Sequence, residues 1–390
     1  MKKSKKAAAV LLTMSAVLTA VPLPAMAAGP LAVKVNSGYD EETWARLQDN
    51  VMEYDEIPDL VHEFNVNIRQ TWDDLEKTRQ ELLNNAEELE SHQHRMENLK
   101  ESAKQEGDMA AIVNYATQEA ILGKVSKSME SGGINMLNRK TVASLQQGED
   151  TITQIAQQLM ISYDTLTKQR DTLVRLQELY DRQYQMMVDK KELGLATETD
   201  VLAAQTNRLS AQGSIQSIDG GLLKLKPTLC TLTGWAADAD PVIAPIPPVD
   251  MSRMETMDLE NDTKKAIGNN HTLIEQRHSA LGRTNDGTAA RTAYIEEGDQ
   301  KLTIKMRQLY DDVAAKRTAY EAALAGYESA QKSAEGYERM YGLGLMSEAD
   351  YLGGMISYHQ KKAGFESADM ALRLSIETYE WAVKGFVDIE

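Results

Sequence analysis

Cysteine is all but missing from this chain of 390 residues, with Cys230 as its single copy. No disulfide can form within one chain, so its stability cannot rest on crosslinks. Proline is scarce where it matters. None of the nine lies between Pro58 and Pro227 and none follows Pro248, which leaves two stretches free to form very long helices. Long apolar runs are missing as well: no stretch approaches the ~20 residues that a membrane-spanning helix needs. Positive charge is in short supply. Lys and Arg number 42 against 59 Asp and Glu, a net charge of -17 at pH 7. Four of the positive charges belong to the first 27 residues, which carry no acid, so without them the balance is -21. Such a chain is poorly suited to nucleic-acid phosphates or anionic lipid surfaces.

What is present begins with residues 1–27, which read as an export signal. Lys2, Lys3, Lys5 and Lys6 form the basic end, residues 7–21 the apolar stretch, and Ala25-Met26-Ala27 a small-x-small cleavage site. The mature chain is expected to be exported.

One nine-residue pattern then occurs twice. Gly194-Leu195-Ala196-Thr197-Glu198-Thr199-Asp200-Val201-Leu202 returns 150 residues later as Gly344-Leu345-Met346-Ser347-Glu348-Ala349-Asp350-Tyr351-Leu352, with Leu193 and Leu343 ahead of the glycines. An offset this large indicates one duplicated half rather than an array of small repeats. In each copy a helix runs into a glycine suited to left-handed backbone, and Thr197 or Ser347 opens the next helix as its N-cap. Asp200 and Asp350, three residues on, can reach back in a capping box. Glu198 and Glu348 suit the positive end of the helix dipole. The product is a tight helical hairpin with an acidic tip.

Seven-residue spacing fills the rest. Ile57-Pro58-Asp59-Leu60 reads as a helix start, followed by one seam at Val61, Ile68, Leu75, Leu82, Leu89 and Met96. The second seam is mixed, with Phe64, Thr71 and Thr78. Gly107-Asp108 interrupts the pattern, residues 109–122 are weakly helical, and 123–141, with Gly132-Gly133, read as a polar connector. Further seams run through Ile152, Leu159, Leu166, Leu173, Tyr180 and Met187, and through Leu202, Leu209, Leu223 and Cys230. Ile218, Leu225 and Leu232 lie on another, with Gly220-Gly221 and Pro227 as a bend. Residues 236–262, holding Pro241, Pro245, Pro247 and Pro248, form a linker expected to lie along the outside of the helices. A shorter helix over 262–281 and a Gly-rich connector over 282–300 follow. The last two seams are Met306, Val313, Tyr320, Tyr327, Ala334, Tyr341 and Tyr351, Tyr358, Phe365, Leu372, Tyr379, Phe386. Five such runs predict an all-α chain of long antiparallel coiled-coil hairpins, duplicated internally, with little or no β structure. The expected divisions are 1–27 signal, 28–235 first repeat, 236–262 linker and 263–390 second repeat.

In its order of signals the sequence resembles the TolC family of outer-membrane efflux factors. The resemblance rests on Gly194, Asp200, Val201-Leu202 and Leu229-Cys230-Thr231-Leu232-Thr233-Gly234 in the first half. In the second half it rests on Tyr341, Gly344, Asp350, Tyr351-Leu352 and a last helix through Tyr379 to Gly385. Ile57-Pro58-Asp59-Leu60 and Asn269-Asn270-His271-Thr272-Leu273 resemble the family's Asn-Pro-x-Leu start. The resemblance implies a homotrimer whose copies complete one α-helical barrel around a lumen. A periplasmic membrane-fusion adaptor and an inner-membrane transporter would dock at the tips, with Thr199, Asp200, Tyr341 and Asp350 at the constricted entrance. It further implies a place in the outer membrane or periplasm. Met346 stands where the family often carries a latching arginine. At 123–141 and 282–303, where the family inserts membrane strands, the sequence lacks the alternation and aromatic girdles such strands need, so that barrel is expected to be absent or vestigial.

The bland readings weigh against other chemistry. His92 and His94 are two apart and diverge on a helix; His271 and His278 share a face without Cys or clustered carboxylates beside them. Asp238-Ala239-Asp240 lacks the Gly and distal Glu of a calcium loop. No catalytic constellation, cofactor motif or phosphate loop is legible, and the tyrosines at heptad positions are core by default. The expectation is a passive export or efflux conduit with no enzymatic activity and no cofactor; the rival is a structural or adaptor coiled coil of the cell envelope without a lumen.

Overall fold

A computed structural model describes residues 39–106, 108–136, 139–277 and 285–388. The export signal at 1–27 and His278 lie outside them. In chain order the elements are α1 (Glu41–Leu47), β1 (Val51–Met52), a 3-10 turn (Tyr54–Glu56), α2 (Ile57–Phe64) and α3 (Val66–Glu106), then α4 (Met109–Met136), α5 (Arg139–Glu192), α6 (Glu198–Leu232) and β2 (Val242–Ile243), and finally α7 (Ser252–Glu255), α8 (Leu259–Asn269), α9 (His271–Arg277), α10 (Asn285–Gly342) and α11 (Glu348–Val383). The fold is all-α, and the β content of the described residues is one parallel pair, Val51 with Val242 and Met52 with Ile243. At 1.5 Å per residue the 54 residues of α5 and the 58 of α10 span about 80 and 87 Å. Neither contains a proline to break it.

Long antiparallel hairpins make up the body. α5 turns into α6 and α10 into α11, and α11 lies along α5, so the four helices stand in the row α6, α5, α11, α10. The register across the middle of the row is fixed by polar contacts. Trp381 Nε1 donates to Gln157 Oε1 (3.1 Å), Thr172 Oγ1 to Glu366 Oε2 (3.0 Å) and Gln360 Nε2 to the Tyr180 hydroxyl (3.3 Å). Residue numbers rise on α5 as they fall on α11, so α5 and α10 run parallel. Both glycine turns therefore sit at the same end of the molecule. The α10–α11 seam is aromatic: Tyr327 stacks on Phe365 (5.3 Å) and Tyr358 (5.9 Å), and Tyr320 meets Phe365 at 5.5 Å. Such pairs add about 0.5–1.5 kcal/mol each beyond the area they bury.

At the other end, α2 and α8 begin matched corners. Asn65 and Asn270 both break one helix and cap the next, each with extended backbone (φ -65, ψ 116 and φ -64, ψ 121). Asn65 Oδ1 accepts the Ile68 N–H (3.2 Å), and Asn270 Oδ1 accepts that of Leu273 (3.1 Å). Their amides reach back to the ends of the returning helices, Asn65 to Leu232 O (2.9 Å) and Asn270 to Gly385 O (3.1 Å) and Val387 O (3.0 Å). The counterpart of Asn270-His271-Thr272-Leu273 is thus Asn65-Val66-Asn67-Ile68 rather than Ile57-Pro58-Asp59-Leu60. The linker is strapped to α11: Arg253 pairs with Glu377 (2.8 Å) and Glu380, and Arg373 donates to Pro247 O.

Several expectations need correction. Described residues 123–136 are helical within α4 and 285–303 within α10, not connectors. The bend expected at Gly220-Gly221 and Pro227 does not interrupt α6, which runs unbroken to Leu232. The helix expected over 262–281 is divided at Asn270 into α8 and α9. At Asp108 the chain does more than pause. It reverses, and α3 with α4 forms a third antiparallel hairpin. Its second α3 seam is Trp72, Arg79, Ala86, Gln93 and Lys100, one step beyond Thr71 and Thr78, which are exposed. The seam is polar because Lys100 pairs with Glu119 and Ala86 O accepts the Ser126 hydroxyl (3.0 Å).

Candidate functional site

The paired turns at the end of α5 and α10 are built alike. Gly194 (φ 73) and Gly344 (φ 68) take the left-handed conformation that a side chain would oppose. Around them the last carbonyls are closed in the same pattern. Leu195 N–H reaches Lys190 O (2.7 Å) and Gly194 N–H reaches Lys191 O (2.9 Å); Leu345 N–H reaches Met340 O (2.8 Å) and Gly344 N–H reaches Tyr341 O (3.0 Å). The next helices open on their caps. Thr197 Oγ1 accepts the Asp200 N–H (3.2 Å) while the Asp200 carboxylate accepts the Thr197 N–H (2.8 Å), a complete capping box. Ser347 Oγ accepts the Asp350 N–H (3.1 Å) and donates to its carboxylate (2.6 Å). Those bonds from the Thr197 amide and hydroxyl hold the Asp200 carboxyl below the usual carboxylate range. Thr199 is exposed on the first turn of α6.

The two turns are tied together by a residue that sequence reasoning missed. Arg182 of α5 donates from Nη2 to Glu348 Oε1 (2.7 Å) and to the Tyr341 hydroxyl (3.5 Å). Its guanidinium also lies 5.8 Å from the ring of Tyr351, which stacks on Tyr341 at 4.4 Å. An ion pair thus bridges the hairpins although Met346 occupies the position where an arginine was looked for. Nothing local marks Arg182, twelve positions before Gly194; only the docking of α11 on α5 brings it to Glu348. Lys191 pairs with Glu198 across the first turn. Both glutamates of the acidic tips therefore have a cation beside them.

Apolar surface dominates what remains. Leu193, Leu195, Leu343 and Leu345 are each about three-quarters exposed, two beside each glycine. The Leu-Gly-Leu triplets were visible in the sequence as a signal of this. The four leucines form an exposed apolar patch at each turn, beside the Glu198 and Glu348 ion pairs. Two shallow surface cavities lie elsewhere, at 299–304 on α10 and beside Gly123. No cluster of three or more metal-ligating side chains occurs among the described residues, and no helix there is long and apolar enough to cross a membrane.

No protein-family model matches the sequence, and no curated protein does either. Solved structures do resemble this fold, and the three that follow are each 13% identical to the chain. A membrane protein from Pseudomonas aeruginosa matches over 85% of this chain and 93% of its own, with a TM-score of 0.49. CusC, described with the formation of a transmembrane channel, matches over 77% and 97% with a TM-score of 0.48. The outer membrane channel CmeC of Campylobacter jejuni matches over 68% of each chain with a TM-score of 0.41.

Proposed function

We propose that this protein is a passive conduit for export or efflux in the cell envelope, assembled from three copies whose helical rows close around a lumen. In this reading 28–235 and 263–390 are the two repeats and 236–262 their linker. The tip residues Gly194, Thr197, Thr199, Asp200, Tyr341, Gly344, Ser347 and Asp350 form the entrance. A membrane-fusion adaptor and an inner-membrane transporter engage the exposed leucines there and supply the energy.

One observation carries the reading. Leu202, Leu209 and Leu223 lie at heptad spacing on α6 and are 52%, 50% and 76% exposed. The buried positions of that helix are instead Val201, Ala204, Ala211, Ile215, Leu229 and Cys230. α6 has α5 along one side and a second leucine seam with no partner among the described residues. A heptad seam is a coiled-coil surface, and covering each leucine contributes about 1 kcal/mol or more. The edge helix α10 of another copy is the natural cover, since it bounds the opposite side of the row.

The test is the mass of the full chain in solution at micromolar concentration, beside L202E/L209E. A trimer that falls to monomer in the variant, with helical circular dichroism unchanged, supports the assembly. A wild-type monomer with intact helicity overturns it. Imaging of the trimer must then show a central channel; a solid bundle favours the structural coiled coil instead.

A further inference from the structure

The α3–α4 hairpin stands at the end of α5 opposite the glycine turns and is made of two helices with unlike outer faces. On α3, exposed Glu81, Glu87, Glu88, Glu90, Glu97 and Glu101 face water with only Arg95 exposed among them. On α4 the sole charge before Lys124 is Glu119, and that is held by Lys100. The outer surface of α4 carries instead Met109 (71% exposed), Val113 (63%) and Ile121 (56%), followed by exposed Lys124 and Lys127, which make no ion pair among the described residues. One helix offers carboxylates; the other offers bare apolar side chains and two ammonium groups, with one exposed carboxylate, Glu130, beyond them.

Height along the hairpin matters as much as sign. Ser126 bonds to Ala86, and a Cβ on Gly123 would meet the Gln93 side chain at 2.8 Å. Lys124 and Lys127 therefore stand level with Glu87 and Glu88 of the same hairpin, and Leu99, 39% exposed, stands level with the apolar part of α4. Copies related by rotation about a common axis hold equal heights. Side by side, α4 of one copy brings its lysines to the glutamates of the next copy's α3 and its apolar stretch to that copy's Leu99. A groove of about 260 Å³ lies between the helices at this level, lined by Gln93, Gly123, Lys124, Lys127 and Glu119, the last held by Lys100. It has room for a glutamate side chain from a neighbour.

We infer that α3–α4 is an interface between copies of this chain, α4 of one against α3 of the next, forming a helical collar at the end away from the tips. The inference rests on the proposed assembly for its common axis. Charge complementarity, not area, selects a second copy as the partner: two α3 faces repel, two α4 faces offer four lysines only the pair of Glu130 carboxylates, and α4 on α3 gives each lysine a glutamate.

The experiment uses the full chain, co-expressed in two sizes, with Cys230 left in place because it is buried. A K124C chain with an E88C chain is expected to crosslink under oxidation at least about fivefold more than K124C with itself. Introducing K127E into the K124C chain lowers the yield, and adding E87K to its E88C partner restores it to within about twofold. Equal yields for the two pairings, or no rescue, overturn the collar. Mass separates the causes: a trimer without the crosslink sinks the collar alone, whereas a wild-type monomer sinks the assembly and the collar with it. Binding to phosphatidylglycerol vesicles that K124E/K127E abolishes, with no crosslink between copies, assigns this face to lipid and overturns the inference.

Discussion

Gly194, Gly234, Gly344 and Gly385 share a left-handed backbone, with φ of 73, 82, 68 and 100, but not a common environment. A Cβ at Gly194 or Gly344 would meet nothing within 4 Å. At Gly234 it would overlap Phe64 Cβ and the Phe64 carbonyl, and at Gly385 it would stand 2.6 Å from the Asn269 carbonyl carbon. Gly→Ala at the first pair costs only the left-handed penalty, about 1–2 kcal/mol. Part of that is offset by about 0.4–1 kcal/mol from the lower entropy of the unfolded chain. The second pair adds overpacking of about 1–3 kcal/mol, because the atoms in the way are largely backbone and cannot rotate aside. G194A and G344A should therefore lose about 1 kcal/mol, and G234A and G385A about 3 kcal/mol or more. Urea denaturation followed by far-ultraviolet circular dichroism, at one fixed protein concentration, measures the difference. Losses within about 0.5 kcal/mol of each other at Gly194 and Gly234 would refute the corner packing, and with it the matched ends of the repeats.

Asn65→Ala removes a cap and orphans the half-buried Leu232 carbonyl, so about 2–4 kcal/mol should be lost, with N65D intermediate because it keeps the capping oxygen; an N65D as stable as wild type shows that the amide donor contributes nothing. Arg182→Ala should change global stability by less than about 1 kcal/mol, since both partners of its ion pair are nearly half exposed. It should nevertheless speed amide hydrogen exchange at both glycine turns, and unchanged exchange means that Arg182 does not hold the tips together. The His62 imidazole donates from Nδ1 to Glu149 Oε1 (2.9 Å), and this bond raises its pKa above the ordinary value. The folded state thus prefers the protonated ring: the stabilisation is full below about pH 6.5 and is lost as pH rises through the raised value. Wild type should exceed H62Q in urea midpoint by more at pH 5.5 than at pH 8.5, and a gap that widens with pH reverses the sign of the linkage.

The seams of α10 and α11 were legible because both sides of that interface lie within one protomer: Met306, Val313, Leu372 and Tyr379 are buried as their spacing indicates. The same spacing on α6 named Leu202, Leu209 and Leu223, which are exposed. Periodicity reveals that a face seeks a partner but not which partner. The α3–α4 hairpin escaped for two physical reasons. Its second seam is polar, and the glycines that read as breakers serve close approach, Gly133 against Leu83 and Gly123 against Gln93. At the tips the caps of Thr197 and Ser347 are local chemistry and were readable from four residues. The Arg182 bridge depends on residues 166 positions apart, and no short pattern encodes it.

The row of four helices ends in two dissimilar edges, α6 on one side and α10 on the other. In the proposed assembly α6 of one copy meets α10 of the next, so each added subunit leaves one edge of either sort still open until curvature brings the last to the first. Copy number is then a property of the angle between neighbouring helices, not of affinity. A substitution at the α5–α11 contact, far from both edges, that flattens the row would turn that proposed closed assembly into an open fibre built on the same two edges.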